Sequence, residues 1–389
     1  MTYTKIEWND LKAIIGLGSF IPDDGDAEFH AIIELNAFSA NTETQYQMLT
    51  EATLRLANLP ELKGAALVWK RFFASDAINH QQYMKANADE AVSIVQQPPL
   101  NGAKASVWLY FVENAKMIKT LNDSCSIMQR PHNRHLFHSQ LHKRGTDSFC
   151  SPTQPVEHQT TEVFKHFSQS LSGYDSAIER NCIRTWIFVQ NVDMQYHGMV
   201  VARREFFEHE GLTPQTHFIA STGIEGRYIY PDVLMLMDAY SITDIARGQI
   251  RYLRAATHLS PTYEYGVTFE RGTVVDYGDR RHIFISGTAS IDHHGNIVHP
   301  LDVEKQTARV FENIQALLTE ADANMNDVAH LIVYLRDTAD FATVNLYMEQ
   351  HYPDIPRTVV LAPVCRPGWL VEAECMAIKK MNNNRFEGF

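Results

Sequence analysis

Two carboxylates and a guanidinium crowd the stretch APVCRPGWLVEAECMAI, residues 362–378. The run from Leu370 to Ile378 reads as a β-strand bounded by turn residues. Alternation along it turns Glu372 and Glu374 to one face, with β-carbons about 7 Å apart. Ala373, Cys375 and Ala377 face the other way. Two close carboxylates raise each other's proton affinity, and partial burial adds to the effect. One of them would then stay protonated near neutral pH and serve as a general acid. Arg366 brings a planar, permanently charged fork suited to a substrate carboxylate. Ser286-Gly287-Thr288 offers a glycine for close backbone approach and hydroxyls on a neighbouring strand. This set would bind an anion and deliver a proton. A surface strand carrying an Arg366–glutamate ion pair fits the same residues, and the residues alone do not separate the two readings.

Other candidates carry less. His132, His135, His138 and His142 lie in PHNRHLFHSQLHKR, where His138 and His142 would share one face of a strand. Metal binding is conceivable there. With no cysteine or aspartate set nearby, a solvated or partner-contacting patch is the better expectation, and no metal site is assigned. Cys365 precedes Arg366 and reads as a small buried hydrophobe, since no base accompanies it to make a nucleophile. No cofactor is called for.

The elements that must hold these residues are clearest in the last third. HIFISGTASID (282–292) is a strand, followed by the turn DHHGN. A helix then carries Val303, Thr307, Val310, Phe311, Ile314, Leu317, Leu318 and Ala321 on one face. HLIVYLRD (330–337) is a strand, and Asp340 is placed to cap a helix, FATVNLYMEQHY, that Pro353 and Pro356 end. RTVVLAP and WLVEAECMAI close the order β-α-β-α-β-β. The same order recurs around RTWIFVQ in the middle and LVWKRFF at the front. We expect an α+β chain of three tandem units, 1–130, 131–260 and 261–389, each a sheet with helices on one face. The middle unit has STGIEGRYIYPDVLMLMDAYSI at the matching position and the front unit QQPPLNGAKASVWLYFVE. Neither has an arginine just before its last strand, so one arginine-bearing site is expected.

Composition bounds the partners. Of 389 residues, 45% are hydrophobic and 21% charged, with a net charge of −12. That disfavours nucleic acid, which needs a basic face. Five cysteines, Cys125, Cys150, Cys182, Cys365 and Cys375, form an odd set without CxxC spacing. A reducing compartment fits. No signal peptide or bilayer-spanning run is read, and a cytoplasmic location is expected.

The last third resembles the RidA/YjgF family. FISGTASID, DVEKQTARVFENIQALL, DFATVN and the arginine before the last strand follow its pattern in order and spacing over about 120 residues. That resemblance implies the RidA (chorismate mutase-like) fold, sites between subunits of a trimer, and deamination of reactive imines and enamines. Residues 135–378 also resemble the chorismatases, built on the same fold, through FISGTASI, VHPLDVEKQT, SPTYEYGVTFERG, RTW at 184–186 and VCRPGWLVEAE. The arginine-to-glutamate spacing suits the chorismatases better. This second resemblance implies that Glu374 protonates an enol ether and Arg366 holds a carboxylate, with water capturing the cation and pyruvate released. It implies substrate contacts from Ser286, Gly287, Thr288, Phe269 and Arg271. Arg203 and Arg204 lie where the chorismatases place a basic residue, giving either a second anion contact or a solvated helix face. The chain departs from these patterns at IFVQ (187–190), at Pro367-Gly368-Trp369 and at Phe269, where the deaminases usually carry tyrosine. The expected partner is a small anionic metabolite. The expected assembly is a monomer whose three units form an internal pseudo-trimer. A deaminase and a non-catalytic binding protein remain as alternatives.

Overall fold

The computed structural model describes residues 1–86, 89–120, 124–144, 154–246 and 248–389. Three six-stranded sheets follow one another along the chain. The first holds β1 (Thr2–Trp8), β2 (Ala13–Phe20), β3 (Glu28–Leu35), β4 (Ala65–Ala74), β5 (Ala91–Gln96) and β6 (Ala105–Glu113), with helices α1 (Thr42–Ala57) and α2 (Ala77–His80). The second holds β7 (Lys116–Lys119), β8 (Cys125–Gln129), β9 (Arg134–His142), β10 (Cys182–Val189), β11 (Ala220–Glu225) and β12 (Met235–Ile242), with α3 (Val156–Ser172), α4 (Ile178–Asn181) and α5 (Val192–His209). The third holds β13 (Ile250–Leu253), β14 (Gly272–Asp276), β15 (Arg280–Ala289), β16 (Val328–Leu335), β17 (Arg357–Leu361) and β18 (Val371–Lys380), with α6 (Val303–Glu320) and α7 (Phe341–His351).

The spatial order is the same three times: β1-β2-β3-β6-β4-β5, β7-β8-β9-β12-β10-β11 and β13-β14-β15-β18-β16-β17. In each sheet the last pair named is parallel and the recorded neighbours are otherwise antiparallel. Each unit thus begins with two strands ahead of the β-α-β-α-β-β order read from the sequence. The first of each pair, β1, β7 and β13, is an edge strand. β1 (TYTKIEW) alternates between half-buried and exposed, and its charges Lys5 and Glu7 keep an open edge from pairing with other chains. Because β7 and β8 pair with β9, the change of sheet falls between residues 113 and 116, and the next falls between 242 and 250.

Local chemistry explains the helices. Asp302 accepts the Lys305 N–H at 3.0 Å, capping α6, and Val310, Phe311, Ile314, Leu317 and Leu318 form its buried stripe against β15 and β18. Asp340 occupies the N-cap position of α7, but its side chain makes no capping bond. The turn before it is capped by Asp337, which accepts the Ala339 N–H at 2.9 Å. Asp302→Ala should cost about 1 kcal/mol, the usual value of such a cap, read as a lower urea midpoint with an unchanged slope.

Helices cover one face of each sheet, and the other faces meet in one shared core that includes Trp69, Trp108, Trp186, Phe188, Phe284 and Ile332. This is why β10, CIRTWIFV, is buried at every position. A buried arginine–carboxylate pair ties each pair of units. Arg71 meets Asp238 at 2.9 Å, Arg184 meets Glu374 at 2.7 Å, and Arg280 meets Glu28 at 2.6 Å. Burial would raise Glu28, but His282 and Arg280 outweigh it and hold the carboxylate well below its usual range. Such pairs add little net stability yet are costly to break, so they fix how the units dock. Among the described residues no helix is long and apolar enough to cross a membrane.

Candidate active site between the second and third units

β18 begins after a turn closed by Trp369 N–H to Arg366 O at 3.0 Å, so Arg366 stands beside the strand carrying both glutamates. Both carboxylates are buried at 3% exposure. Their surroundings differ. Glu374 accepts from Arg184 at 2.7 Å, from Trp186 Nε1 at 2.8 Å and from the Thr222 hydroxyl. It does not line the cavity that lies between the two units. Glu372 does. Burial, helped by the charge of Glu374, pushes the Glu372 carboxyl up to about 8, against the pull of Arg184 and Arg271. It therefore carries its proton at neutral pH.

The cavity measures about 480 Å³. Three arginines border it. Arg366 is half-buried, stacks over Tyr265 at 4.9 Å and Trp369 at 5.2 Å, and donates to Tyr265 O at 3.3 Å. Arg271 donates twice to Ser260 O, at 2.8 and 3.2 Å, and lies 5.4 Å from the Phe269 ring, which also borders the cavity. Arg203 comes from α5 of the middle unit and is 1% exposed. Its Nε donates to Thr268 at 3.2 Å, while one terminal nitrogen has no partner. A buried guanidinium nitrogen without an acceptor, at the wall of a cavity, is suited to an anion. Arg204 is exposed and lies outside the lining.

Of Ser286-Gly287-Thr288, only the glycine reaches the cavity. A β-carbon on Gly287 would collide with the Glu372 carboxylate, and its N–H donates to Thr222 at 2.9 Å. The Ser286 hydroxyl donates to Glu270 O at 2.6 Å and accepts the Ser221 N–H at 3.0 Å. Thr288 donates to Ser286 O at 2.9 Å. The Ser286 hydroxyl ties its strand to neighbouring segments, the Thr288 hydroxyl turns back onto its own strand, and neither residue borders the cavity.

Tyr196 and Tyr265 complete the lining without having been singled out in the sequence. Tyr196 lies seven residues before Arg203, two turns up the same face of α5, and that spacing was the available signal. Tyr265 ends a short 3-10 turn, Thr262–Tyr265, and its signal was its place in SPTYEYGVTFERG. Cys365 also borders the cavity, and burial, aided by Glu372, pushes its thiol up to about 12, so it is no thiolate nucleophile. A vestibule of about 680 Å³ bordered by Asp193, His197, Arg366 and Pro367 shares Tyr196, Tyr265 and Cys365 with the cavity.

The histidines of β9 do not form one patch. His135 is buried on Tyr240 OH at 2.6 Å, and His138 is buried on Ser170 Oγ at 2.8 Å beside Phe167 of α3. His142 lies against Tyr228, in the shared core. Gln140 adopts a left-handed φ of 58°, and the pairing slips between Met237 and Ala239. This bulge breaks the alternation that would have put His138 and His142 on one face. His132 is exposed. Cys150 lies outside the described residues.

Fold and cavity together define a class: tandem α+β units enclosing a buried, arginine-walled site where two units meet. Residues 273–379 match the family model described as endoribonuclease L-PSP. A RutC family protein of Pyrococcus abyssi is 37% identical over 100 residues, 25% of this chain and 79% of the relative. The chain belongs to this family, the RidA/YjgF group, through its third unit. The 3-aminoacrylate deaminase RutC of Acinetobacter baylyi is 29% identical over 97 residues, 24% of this chain and 77% of that protein. A solved chorismatase superposes with a TM-score of 0.64 at 17% identity, covering 82% of this chain and 96% of that one, a likeness of fold.

Proposed function

We propose that this chain is a chorismatase-like enzyme that hydrolyses the enol ether of a small carboxylate such as chorismate and releases pyruvate. The observation that carries the reading is Glu372, protonated near neutral pH in a cavity walled by Arg203, Arg271 and Arg366. A neutral acid facing three guanidiniums suits a dianion, and it has a proton to give. Glu372 donates to the terminal methylene carbon of the enol ether, leaving an oxocarbenium ion. Water adds to that cation and returns its proton to the Glu372 carboxylate. The resulting hemiketal breaks its C–O bond to give an alcohol and pyruvate, so one water is consumed. Glu374 pairs with Arg184 and shapes the field around Glu372. The reading takes the three sheets with their helices as three units about a quasi-threefold axis, so that one chain supplies a site otherwise built by separate subunits.

A second reading, deamination of an imine or enamine, is favoured by the deaminase among the relatives. It needs Arg366 and an ordered water but no proton donor at carbon. The experiment is to follow pyruvate from chorismate and, separately, from 2-aminoacrylate generated in place. Arg366→Ala should weaken binding of either substrate about 10–100-fold, since a charge-assisted bond is worth about 1.5–3 kcal/mol, and should leave the unfolding midpoint close to wild type. Turnover of chorismate supports the enol ether reading. Turnover of the imine alone transfers the assignment to the deaminase.

A further inference from the structure

The segment Phe269-Glu270-Arg271 is a partition. On the side away from Glu372 lies a second cavity of about 540 Å³, bordered by Thr213, Thr216, Arg254, Ser260, Glu270 and Arg271. The proposed mechanism uses nothing in it except its shared wall. Ser260 is 1% exposed; its carbonyl accepts from Arg271, but its hydroxyl has no partner. The Glu270 carboxylate accepts one backbone bond, from Phe218 at 2.8 Å, which leaves lone pairs free. Burial raises its proton affinity although Arg254, His217 and Arg271 lie near enough to oppose this. Arg254 stands exposed at the rim, its backbone N–H anchored on Glu320 at 3.1 Å, and its side chain forms no ion pair with Glu270.

One acid and one guanidinium across a small polar cavity, unbridged by each other, match a molecule carrying both opposite charges. We propose that this cavity binds a small zwitterion, an α-amino acid with a short side chain, its ammonium on Glu270 and its carboxylate on Arg254. An ammonium supplies the charged partner that the half-buried Glu270 lacks. Occupancy is felt in the first cavity. Glu270 O holds the Ser286 hydroxyl, and Arg271, the next residue, borders both cavities and acts on Glu372. That last link rests on the function proposed above, whereas binding itself does not.

The test is titration calorimetry of the whole chain with glycine, L-alanine and L-serine, and with acetate and methylammonium as half-ligands. An amino acid should bind with Kd of about 1 mM or tighter, and each half-ligand at least about tenfold more weakly. Glu270→Gln and Arg254→Ala should each weaken it by about tenfold or more, since tenfold corresponds to about 1.4 kcal/mol. Circular dichroism confirms that these variants fold. Arg366→Ala and Glu372→Gln should leave the affinity unchanged. No heat from any of the three amino acids overturns the proposal. So does binding that survives Glu270→Gln and vanishes in Arg366→Ala, which places the ligand in the first cavity. Loss of turnover on chorismate and imine with amino acid binding intact would sink only the function above.

Discussion

Glutamine in place of Glu372 is expected to lower enol ether turnover about 10²–10⁴-fold, the usual contribution of a general acid, while substrate still binds. The side chain keeps its shape and its place beside Gly287 but has no proton to give. In the wild type the rate should fall as pH rises through about 8, because only the protonated carboxyl is a donor and burial holds it protonated to that point. A pH–rate profile on chorismate, with pyruvate as readout, checks both. A flat profile, or a glutamine variant within a few-fold of wild type, would remove Glu372 from the chemistry.

The same group links activity to stability, with a definite sign. Its folded acid constant lies near pH 8, above the unfolded value of about 4.5, so the folded state holds its proton more tightly. Its stabilising contribution is complete below pH 4.5 and is lost as pH rises to about 8. Each tenfold displacement of the acid constant is worth about 1.4 kcal/mol, so a few kcal/mol are at stake. Glu372→Gln escapes this loss. It should unfold at higher urea than wild type at pH 9 and at nearly the same urea at pH 4.5. Glu34, where burial also raises the carboxyl, to about 7, adds a smaller term of the same sign.

Much of the fold was legible because each unit repeats strong local signals: a central strand of apolar residues, a long helix with buried residues at helical spacing, and a final strand. The leading strands escaped because edge strands face water on one side and mix charge into their alternation, as TYTKIEW does. The site was legible as a region but not at the level of single residues. Alternation correctly put Glu372 and Glu374 on one face, yet what separates them comes from another part of the chain. Arg184, Trp186 and Thr222, 190, 188 and 152 residues away, close around Glu374 and leave Glu372 to the cavity. No spacing within 362–378 encodes that choice. The arginine–tryptophan pair of RTW supplies the partners, which the sequence showed only as a motif. Ser286 and Thr288 illustrate the reverse case. Their hydroxyls suggested ligand contacts, but nearby backbone carbonyls and an amide take them first.

Glu374→Gln should separate the two carboxylates by producing the opposite pattern. Arg184 is 1% exposed, and its neutralising partner is this glutamate. Removing the negative charge leaves a buried guanidinium uncompensated, at a cost of about 3–5 kcal/mol. Because the pair joins the second unit to the third, the loss should appear as a lower urea midpoint for the whole chain. At temperatures where the variant remains folded it should still turn over substrate, since Glu372 keeps its proton to give. Its pH profile should move. The charge on Glu374 helps raise Glu372, so without it the carboxyl ionises sooner and the rate falls at lower pH than in the wild type. A stable variant without activity would reverse the roles and make Glu374 the donor. A destabilised variant with activity and a profile shifted towards acid establishes Glu374 as the group that holds two units together and sets the acidity of its neighbour.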